Sequence, residues 1–382
     1  MDPKLRIDRL TRLHDEKVNE LRVVRRALAT KELNIELLKE SKRKVVDLEA
    51  RVKKAEASMK LLNALRDSAP HKPKWAAPRR APKGTHHATP TLLLSDLHLD
   101  EVVEPSGVDW YNAYDRQIAE LRLTKAFEDT VKVTTQFMNG LTFDGIVCAL
   151  LGDIVTGDIH AELSKTNETT TYDTIVYWVP KLAAGISMLA DTFGKVYVPC
   201  VSGNHDRNPM YHRVPMKRKA KESLSWIIYN WLADFFANDD RVTFQISETG
   251  DLRWDIYAHR FNATHGDQFR GGDGIIGPLG PITRGNNRKG ARNQVLNRPY
   301  DTLVFGHFHQ YMIGRDLMGN GSLKGYDEYA HESNFLPEPP CQALFINTPE
   351  NGITFRTPIY VTDDAEPWLK KAKQMKSGIY RL

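Results

Sequence analysis

The sequence offers several metal-ligating side chains, and the first two are Asp96 and His98, directly after the apolar run Leu92-Leu93-Leu94. Successive side chains of a strand point to opposite faces, so residues i and i+2 share a face and both groups are expected to reach one ion. A carboxylate oxygen combined with an imidazole nitrogen suits a first-row transition metal. Alone the pair is weak evidence, and its weight comes from similar motifs downstream.

Four further motifs follow apolar runs in the same way. In an open α/β sheet, sites form outside the carboxyl ends of the strands, so these motifs are expected to meet at one edge. So many oxygen and nitrogen ligands exceed the need of one ion and suit a centre of two ions about 3.5–4 Å apart. The four motifs are Gly152-Asp153, Gly203-Asn204-His205-Asp206, Thr264-His265-Gly266-Asp267 and Gly306-His307-Phe308-His309.

The elements that must position these residues are short apolar strands alternating with amphipathic helices. That alternation predicts an α/β layered fold with a partly antiparallel second half. The predicted strands are 92–95, 145–151, 195–201, 256–264, 302–305 and 342–347, and the predicted helices are 115–138, 172–192 and 222–236.

The motif series Asp-x-His, Gly-Asp, Gly-Asn-His-Asp, His-Gly-Asp and Gly-His-x-His resembles the calcineurin-like metallophosphoesterase superfamily over roughly residues 91–350. The resemblance implies an αββα sandwich that hydrolyses phosphate esters with a hydroxide bridging two metal ions. By motif position it implies one ion held by Asp96, His98, Asp153 and His309, and a second held by Asp153, Asn204, His265 and His307.

The resemblance also implies that His205 faces the scissile phosphate as a general acid or charge stabiliser, oriented by Asp206. A histidine so placed can give a proton to the leaving oxygen, and a neighbouring carboxylate favours the imidazolium. Two divalent ions are the expected cofactors. Mn²⁺ is favoured for mixed Asp, His and Asn ligands, with Fe, Zn and Ni as alternatives.

The first 90 residues lie outside the resemblance. The apolar pattern of residues 1–68 predicts a long helix with a thin apolar stripe, which is typical of a coiled coil. Such a helix favours a homo-oligomer. Packing of the helix against the rest of the chain is the alternative. Residues 69–90 contain five prolines and five basic residues without an acidic one, and are expected to be a linker. The metallophosphoesterase domain is then expected over 91–382.

Composition narrows the setting. No apolar run is long enough for a transmembrane helix, and the N-terminus lacks the apolar core of a signal peptide. The three cysteines Cys148, Cys200 and Cys341 do not form a disulfide framework, which favours a cytoplasmic protein without membrane contact.

The substrate depends on basic segments near the motifs. Residues 207–219 are strongly basic, and Arg207, Arg213, Lys217 and Arg218 are the candidate substrate-binding residues. Residues 270–298 are Gly-rich and then Arg-rich, and 311–340 are expected to be a long functional loop.

A phosphodiesterase acting on DNA is the leading hypothesis. A phosphomonoesterase or nucleotide phosphodiesterase is the alternative, and a DNA-binding subunit with a decayed site is the third.

Overall fold

A computed structural model of the chain describes residues 3–67, 86–159, 163–208, 217–270 and 277–379. Two compact units divide the chain, Met1–His71 and Lys72–Leu382. The described residues of the first unit form one helix, α1 (Pro3–Asp67), so the predicted N-terminal helix is confirmed. Nothing among the described helices is both long and apolar enough to cross a membrane.

The second unit contains two mixed sheets with helices between their strands. The strands are β1 (His86–Leu94), β2 (Leu141–Phe143), β3 (Ile146–Leu150), β4 (Val196–Cys200), β5 (Val242–Ile246), β6 (Asp251–Ile256), β7 (His259–Thr264), β8 (Thr302–Phe305), β9 (Met312–Ile313), β10 (Leu317–Gly319), β11 (Cys341–Thr348) and β12 (Gly352–Tyr360). The helices are α2 (Arg116–Lys132), α3 (Leu163–Thr166), α4 (Thr171–Phe193), α5 (Leu224–Phe235), α6 (Leu279–Val295), α7 (Glu328–Glu332) and α8 (Trp368–Ile379).

The larger sheet has the order β12-β11-β1-β3-β4-β5, with β2 added beside β1, and the smaller has the order β6-β7-β8-β10-β9. Strands β1, β3, β4 and β5 run parallel to one another, and so do β7, β8 and β10. Parallel strands end at the same edge, so each sheet brings several motif-bearing strand ends together.

Three apolar clusters show that the layers are helix, sheet, sheet and helix. One face of the larger sheet, through Leu92 and Leu94, packs against α2, α4 and α5. Its other face, through Leu93, packs against Trp254 and Phe261 of the smaller sheet. The far face of the smaller sheet packs against α6. Alternate residues of one strand thus serve two cores, and the expected αββα sandwich is confirmed.

Local signals explain the helices that cover the larger sheet. The side chain of Asp115 accepts from the backbone amide of Ile118 at 2.7 Å and caps α2. Thr170 caps α4, which ends at Gly194 in the left-handed region (φ +71°). Such polar N-caps satisfy amides that have no partner inside the helix, and a glycine accepts a positive φ without strain.

Several sequence predictions need correction. Strand β1 begins at His86, inside the predicted linker 69–90, and pairs with β2 there; residues 68–85 lie outside the described residues.

The run 256–264 is divided between β6 and β7. Segment 311–340 contains β9, β10 and α7 and is therefore not one long loop. From Leu279 the Arg-rich segment is helical, although glycines and a proline disfavour helix there.

Candidate metal centre

The five motifs converge at one edge of the two sheets. Every motif follows the end of β1, β3, β4, β7 or β8. Ligand atoms lie within 4.8 Å of one another in three groups, which are Asp96-His98-His309, His98-Asp153-His205 and Asp153-His265-His307. Six of the seven predicted ligands therefore belong to these groups, and the seventh, Asn204, offers an amide oxygen beside the third.

Asp96, His98 and His309 form the first half of the site. Nε2 of His98 and Nε2 of His309 lie 3.1 Å apart, and Nε2 of His309 lies 3.5 Å from Asp96 Oδ1. Burial opposes the charge of Asp96, yet the hydrogen bond from His309 and the charge of His265 lower the pKa of this carboxyl to about 2. Two imidazole nitrogens and one ionised carboxylate thus face a common point.

His265, Asn204 and Asp153 form the second half. Nδ1 of His265 donates to the carbonyl of Leu151 at 2.8 Å. Its Nε2 then faces two acceptors, Asp153 Oδ2 at 2.9 Å and Asn204 Oδ1 at 3.0 Å. Burial would lower the pKa of His265, but the Asp153 carboxylate raises it to about 10. The geometry therefore calls for a positive charge between these three groups.

A metal ion fits that requirement. A ligating histidine normally donates its second ring N–H to a carbonyl or a carboxylate, as His265 does to Leu151. Burial and the charge of His265 lower the pKa of His307 to about 4, which keeps this imidazole neutral and able to ligate. Asp96 and Asp153 are both buried, and two adjacent buried carboxylates are costly unless cations offset them. The donor set suits two divalent ions.

Asp153 joins the two halves. It belongs to a group with His98 and to a group with His265 and His307, so its carboxylate lies between both sets of ligands. The backbone amide of His205 donates to Asp153 Oδ1 at 2.8 Å. This position agrees with the bridging role that the resemblance implied.

Most of the predicted ligands have a positive φ. Five of the seven predicted ligands have positive φ: Asp96 (54°), His98 (46°), Asp153 (50°), His307 (72°) and His309 (54°). Non-glycine residues occupy this region at a cost and do so mostly at functional sites. Strand β1 ends at Leu94, so Asp96 and His98 lie in the irregular segment that follows it. The expected alternation of a strand is therefore wrong as the cause, although the two side chains do converge.

Two glycines allow the strand ends to approach this closely. A Cβ on Gly203 would lie 2.0 Å from Asp153 Oδ1, and one on Gly306 would lie 2.3 Å from Asp96 Oδ2. Any side chain there would push a carboxylate out of place. The lack of space for a side chain therefore explains why glycine precedes these candidate ligands.

His205 is oriented differently from the sequence prediction. Its Nδ1 donates to the carbonyl of Thr156 at 3.2 Å, while Asp206 Oδ2 accepts from the amides of Asp153 and Gly203 and from the Ser225 hydroxyl. The assigned role of Asp206 therefore needs correction, because this carboxylate fixes two strand ends and Thr156 holds the imidazole. Burial lowers the pKa of His205 to about 3, which leaves Nε2 with a lone pair.

A buried ion network behind His98 was not predicted. Nδ1 of His98 lies 3.3 Å from Glu101 Oε2, in a contact that is off-line for a hydrogen bond. Glu101 also accepts from Thr156 Oγ1 at 3.1 Å and from Lys324 Nζ at 2.8 Å, and Lys324 also binds Asp327. Burial raises the pKa of Glu101, but Lys324 and His98 lower it below its ordinary value. A glutamate three residues after His98 is the only sequence signal for this contact.

The predicted substrate-binding residues are only partly described. Arg207 is buried, and its Nη1 donates to the carbonyl of Asn204 at 2.8 Å. Arg213 lies outside the described residues. Lys217 is exposed, and Arg218 is exposed with Glu222 3.9 Å away. Lys219, which was not among the predicted residues, pairs with Asp267 at 2.6 Å, two residues after the ligand His265.

The comparisons with known proteins add little. Neither a family model nor a curated protein matches the chain. Three solved structures are similar at low identity: a predicted phosphoesterase of Streptococcus pneumoniae (10% identity, 71% of this chain and 98% of that one, TM-score 0.27), Vps29 of Chaetomium thermophilum (10%, 72% and 98%, 0.26) and a dimetal phosphatase of Danio rerio (10%, 72% and 99%, 0.32).

None of these TM-scores reaches 0.5, so these structures support no functional argument. The argument for a metal centre rests on the residues of the site. Five motifs lie in the expected order at the expected strand ends, and the layers are those of an αββα sandwich. Cys148, Cys200 and Cys341 are free and buried, as expected of small core residues. The motif series and the candidate two-metal site are similar to those of the calcineurin-like metallophosphoesterase superfamily.

Proposed function

We propose that this protein is a metal-dependent phosphodiesterase that cleaves DNA. The observation that carries the hydrolytic part is that Asp153 lies close to His98 on one side and to His265 and His307 on the other. Two divalent ions bound there would lower the pKa of a water between them and offset charge on a phosphoryl group. Mn²⁺ is our proposed metal, because carboxylate, amide and imidazole donors are combined.

His205 is the proposed proton donor to the leaving oxygen. Thr156 holds its Nδ1 proton, so Nε2 is the atom that exchanges a proton with substrate. Before substrate binds, the ring is neutral because burial lowers the pKa of His205. An anionic phosphoryl group beside Nε2 favours the protonated ring, and this form can donate.

Cationic side chains beside the ligands support a DNA substrate. Arg207 contacts the carbonyl of Asn204, and Lys219 pairs with Asp267 beside His265. Arg207 forms a β-bridge with Ser223, and Lys217 and Arg218 precede Ser223 by six and five residues. Guanidinium and ammonium groups in such places suit backbone phosphates. A phosphomonoesterase or nucleotide phosphodiesterase is the second candidate, because the candidate metal centre alone does not select a polymeric substrate.

We further propose that α1 associates with α1 of a second copy. Most of the apolar side chains that the structure describes in α1 are exposed, among them Leu21 (57%), Leu28 (53%), Leu38 (61%) and Val52 (54%). A helix with so thin an apolar stripe gains stability from a partner helix. Two catalytic units on one polymer would raise the effective concentration of each.

The first experiment compares Mn²⁺-dependent turnover of bis-p-nitrophenyl phosphate, p-nitrophenyl phosphate, and labelled single- and double-stranded DNA. We expect turnover of the diester and of DNA. Cleavage of the monoester alone would favour the second candidate, and no turnover on any substrate would contradict the enzyme.

His205→Ala is expected to lower DNA cleavage about 100- to 10,000-fold, the range for a general acid, because the leaving oxygen of DNA needs a proton, while metal binding is retained. The matched control is His86→Ala, at the exposed start of β1 and far from the strand-end edge. Loss of metal from the His205 variant would contradict its assigned role.

A further inference from the structure

Helix α6 differs in charge from the unit that contains it. Residues 277–300 include five Arg and Lys and no Asp or Glu, whereas residues 91–382 together carry 30 basic and 36 acidic residues. We propose that the solvent face of α6 binds the sugar-phosphate backbone of a nucleic acid. This inference rests on the nuclease function proposed above and deepens it.

The two faces of α6 are clearly separated. Ile282, Asn286, Lys289 and Asn293 are buried against the smaller sheet, whereas Arg284, Arg288 and Arg292 are exposed. The three arginines are spaced by four residues and therefore lie along one side of the helix. At 1.5 Å per residue their Cα atoms extend over about 12 Å. Such a row suits a chain of phosphates better than a single one.

The charges on this face are only partly neutralised within the protein. Lys289 and Arg292 both pair with Asp251, and the pairing satisfies the buried ammonium group of Lys289. Among the residues that the structure describes, no carboxylate forms an ion pair with Arg284 or Arg288. Two guanidinium groups are therefore available to an outside anion, and each can bind a phosphate oxygen through two N–H groups.

The N-terminal half of α6 lies beside the metal-ligating edge. Ile282 packs against Phe269 and Phe305 in one apolar cluster. Phe269 follows the ligand His265 by four residues, and Phe305 precedes the ligand His307 by two. A Cβ on Gly285 would lie 2.2 Å from the Phe269 ring, so the helix backbone approaches this segment closely. A polymer held along α6 can thus reach the site.

The chemistry of the face favours a nucleic acid over a lipid surface. The exposed residues Thr283 and Asn287 lie beside Arg284 and Arg288. A helix that binds in a membrane interface presents a continuous face of Trp, Phe or Leu opposite its basic residues. Here that side is buried in the protein, and the exposed apolar residues Leu279 and Val295 lie at the two ends of the helix. Amide and hydroxyl groups beside arginines are typical of contacts to phosphate and sugar.

The test compares Arg284→Gln/Arg288→Gln with the wild-type protein in binding a labelled DNA duplex. Anisotropy is measured in EDTA, which prevents cleavage, over a series of salt concentrations. Removal of one phosphate-binding charge lowers the slope of log K against log salt by about 0.9, so the double variant should show a slope smaller by about 1.8. Turnover of bis-p-nitrophenyl phosphate should stay unchanged, because this small diester does not reach α6.

The matched control is Lys195→Gln/Arg315→Gln, which removes the same charge. Both residues are exposed and lie just before β4 and β10, at the strand edge opposite the site. We expect a wild-type salt slope from the control. The variant Arg284→Lys/Arg288→Lys keeps the charge and should retain most of the slope, which separates charge loss from damage to the helix.

The outcomes separate this inference from the proposed function. Wild-type protein that neither binds nor cleaves DNA would overturn both. Cleavage by the wild-type protein with equal salt slopes for both glutamine variants would overturn the α6 inference alone. Loss of binding to anionic vesicles, with DNA binding unchanged in the α6 variant, would also overturn it and identify a lipid surface.

Discussion

Arg122 and Glu101 each lie at the centre of a buried ion network, and the two networks meet at Lys324. Arg122 donates to both carboxylate oxygens of Glu366, at 3.0 and 2.9 Å, and to the carbonyls of Leu323 and Lys324. Glu101 accepts from the Lys324 ammonium group, and its other oxygen faces His98. Both networks are buried, yet their contacts end at different places.

The side-chain partners of Arg122 belong to the fold and not to the candidate metal centre. The Arg122 guanidinium ties α2 to the segment around Glu366, and the backbone amide of Asp363 and the indole of Trp368 complete the carboxylate. The Glu101 network ends at His98, which is a candidate metal ligand. The difference teaches that burial of a charge does not reveal its role. The group at the end of the contacts decides whether a network holds the fold or sets a ligand.

The largest expected effect is on stability. Arg122→Met leaves Glu366 buried without its cation, and loss of one partner of a buried pair costs about 3–5 kcal/mol. Urea denaturation should show that fall in the free energy of unfolding, and Arg122→Met/Glu366→Leu should recover part of it. Metal affinity of the folded variant should match the wild type. A lower metal affinity in this variant would show that the Arg122 network also supports the candidate metal centre.

A smaller effect, on the metal, is expected from Glu101→Gln. The variant keeps the shape of the side chain and removes the charge beside His98 Nδ1. Outer partners of metal-ligating histidines contribute about 10- to 100-fold in metal affinity. Titration of metal-stripped protein with Mn²⁺ should show that weakening. Unchanged affinity, together with a stability loss as large as that of Arg122→Met, would assign Glu101 to the fold alone.

The sequence predicted those features that depend on local order. Apolar runs predicted β1, β3, β4 and β8, and the motif residues after them predicted the strand-end edge. Sequence order does not show which partner a side chain takes once the chain is packed. Asp206 is adjacent to His205 in sequence, but its carboxylate binds the amides of Gly203 and Asp153. The pairing of Glu101 with Lys324 joins residues 223 positions apart, and no local pattern encodes it.

Helix α6 shows the opposite failure. Gly280, Pro281, Gly285 and Gly290 disfavour a helix in isolation. Ile282 and the close approach of Gly285 to Phe269 give the segment a packed face that propensity does not include. Tertiary packing thus overrides the local signal, and it turns a basic segment into a helix with one charged side.

The most direct test of the two-metal site is calorimetric titration of metal-stripped protein with Mn²⁺, followed by turnover of bis-p-nitrophenyl phosphate. We predict two ions per chain in the wild type and activity that returns with them. Asp153→Asn, which alters the shared ligand, should bind fewer ions and lower activity by more than about 100-fold, the upper range for an outer partner. One ion per wild-type chain, or full activity in the Asp153 variant, would contradict a two-metal site that shares Asp153.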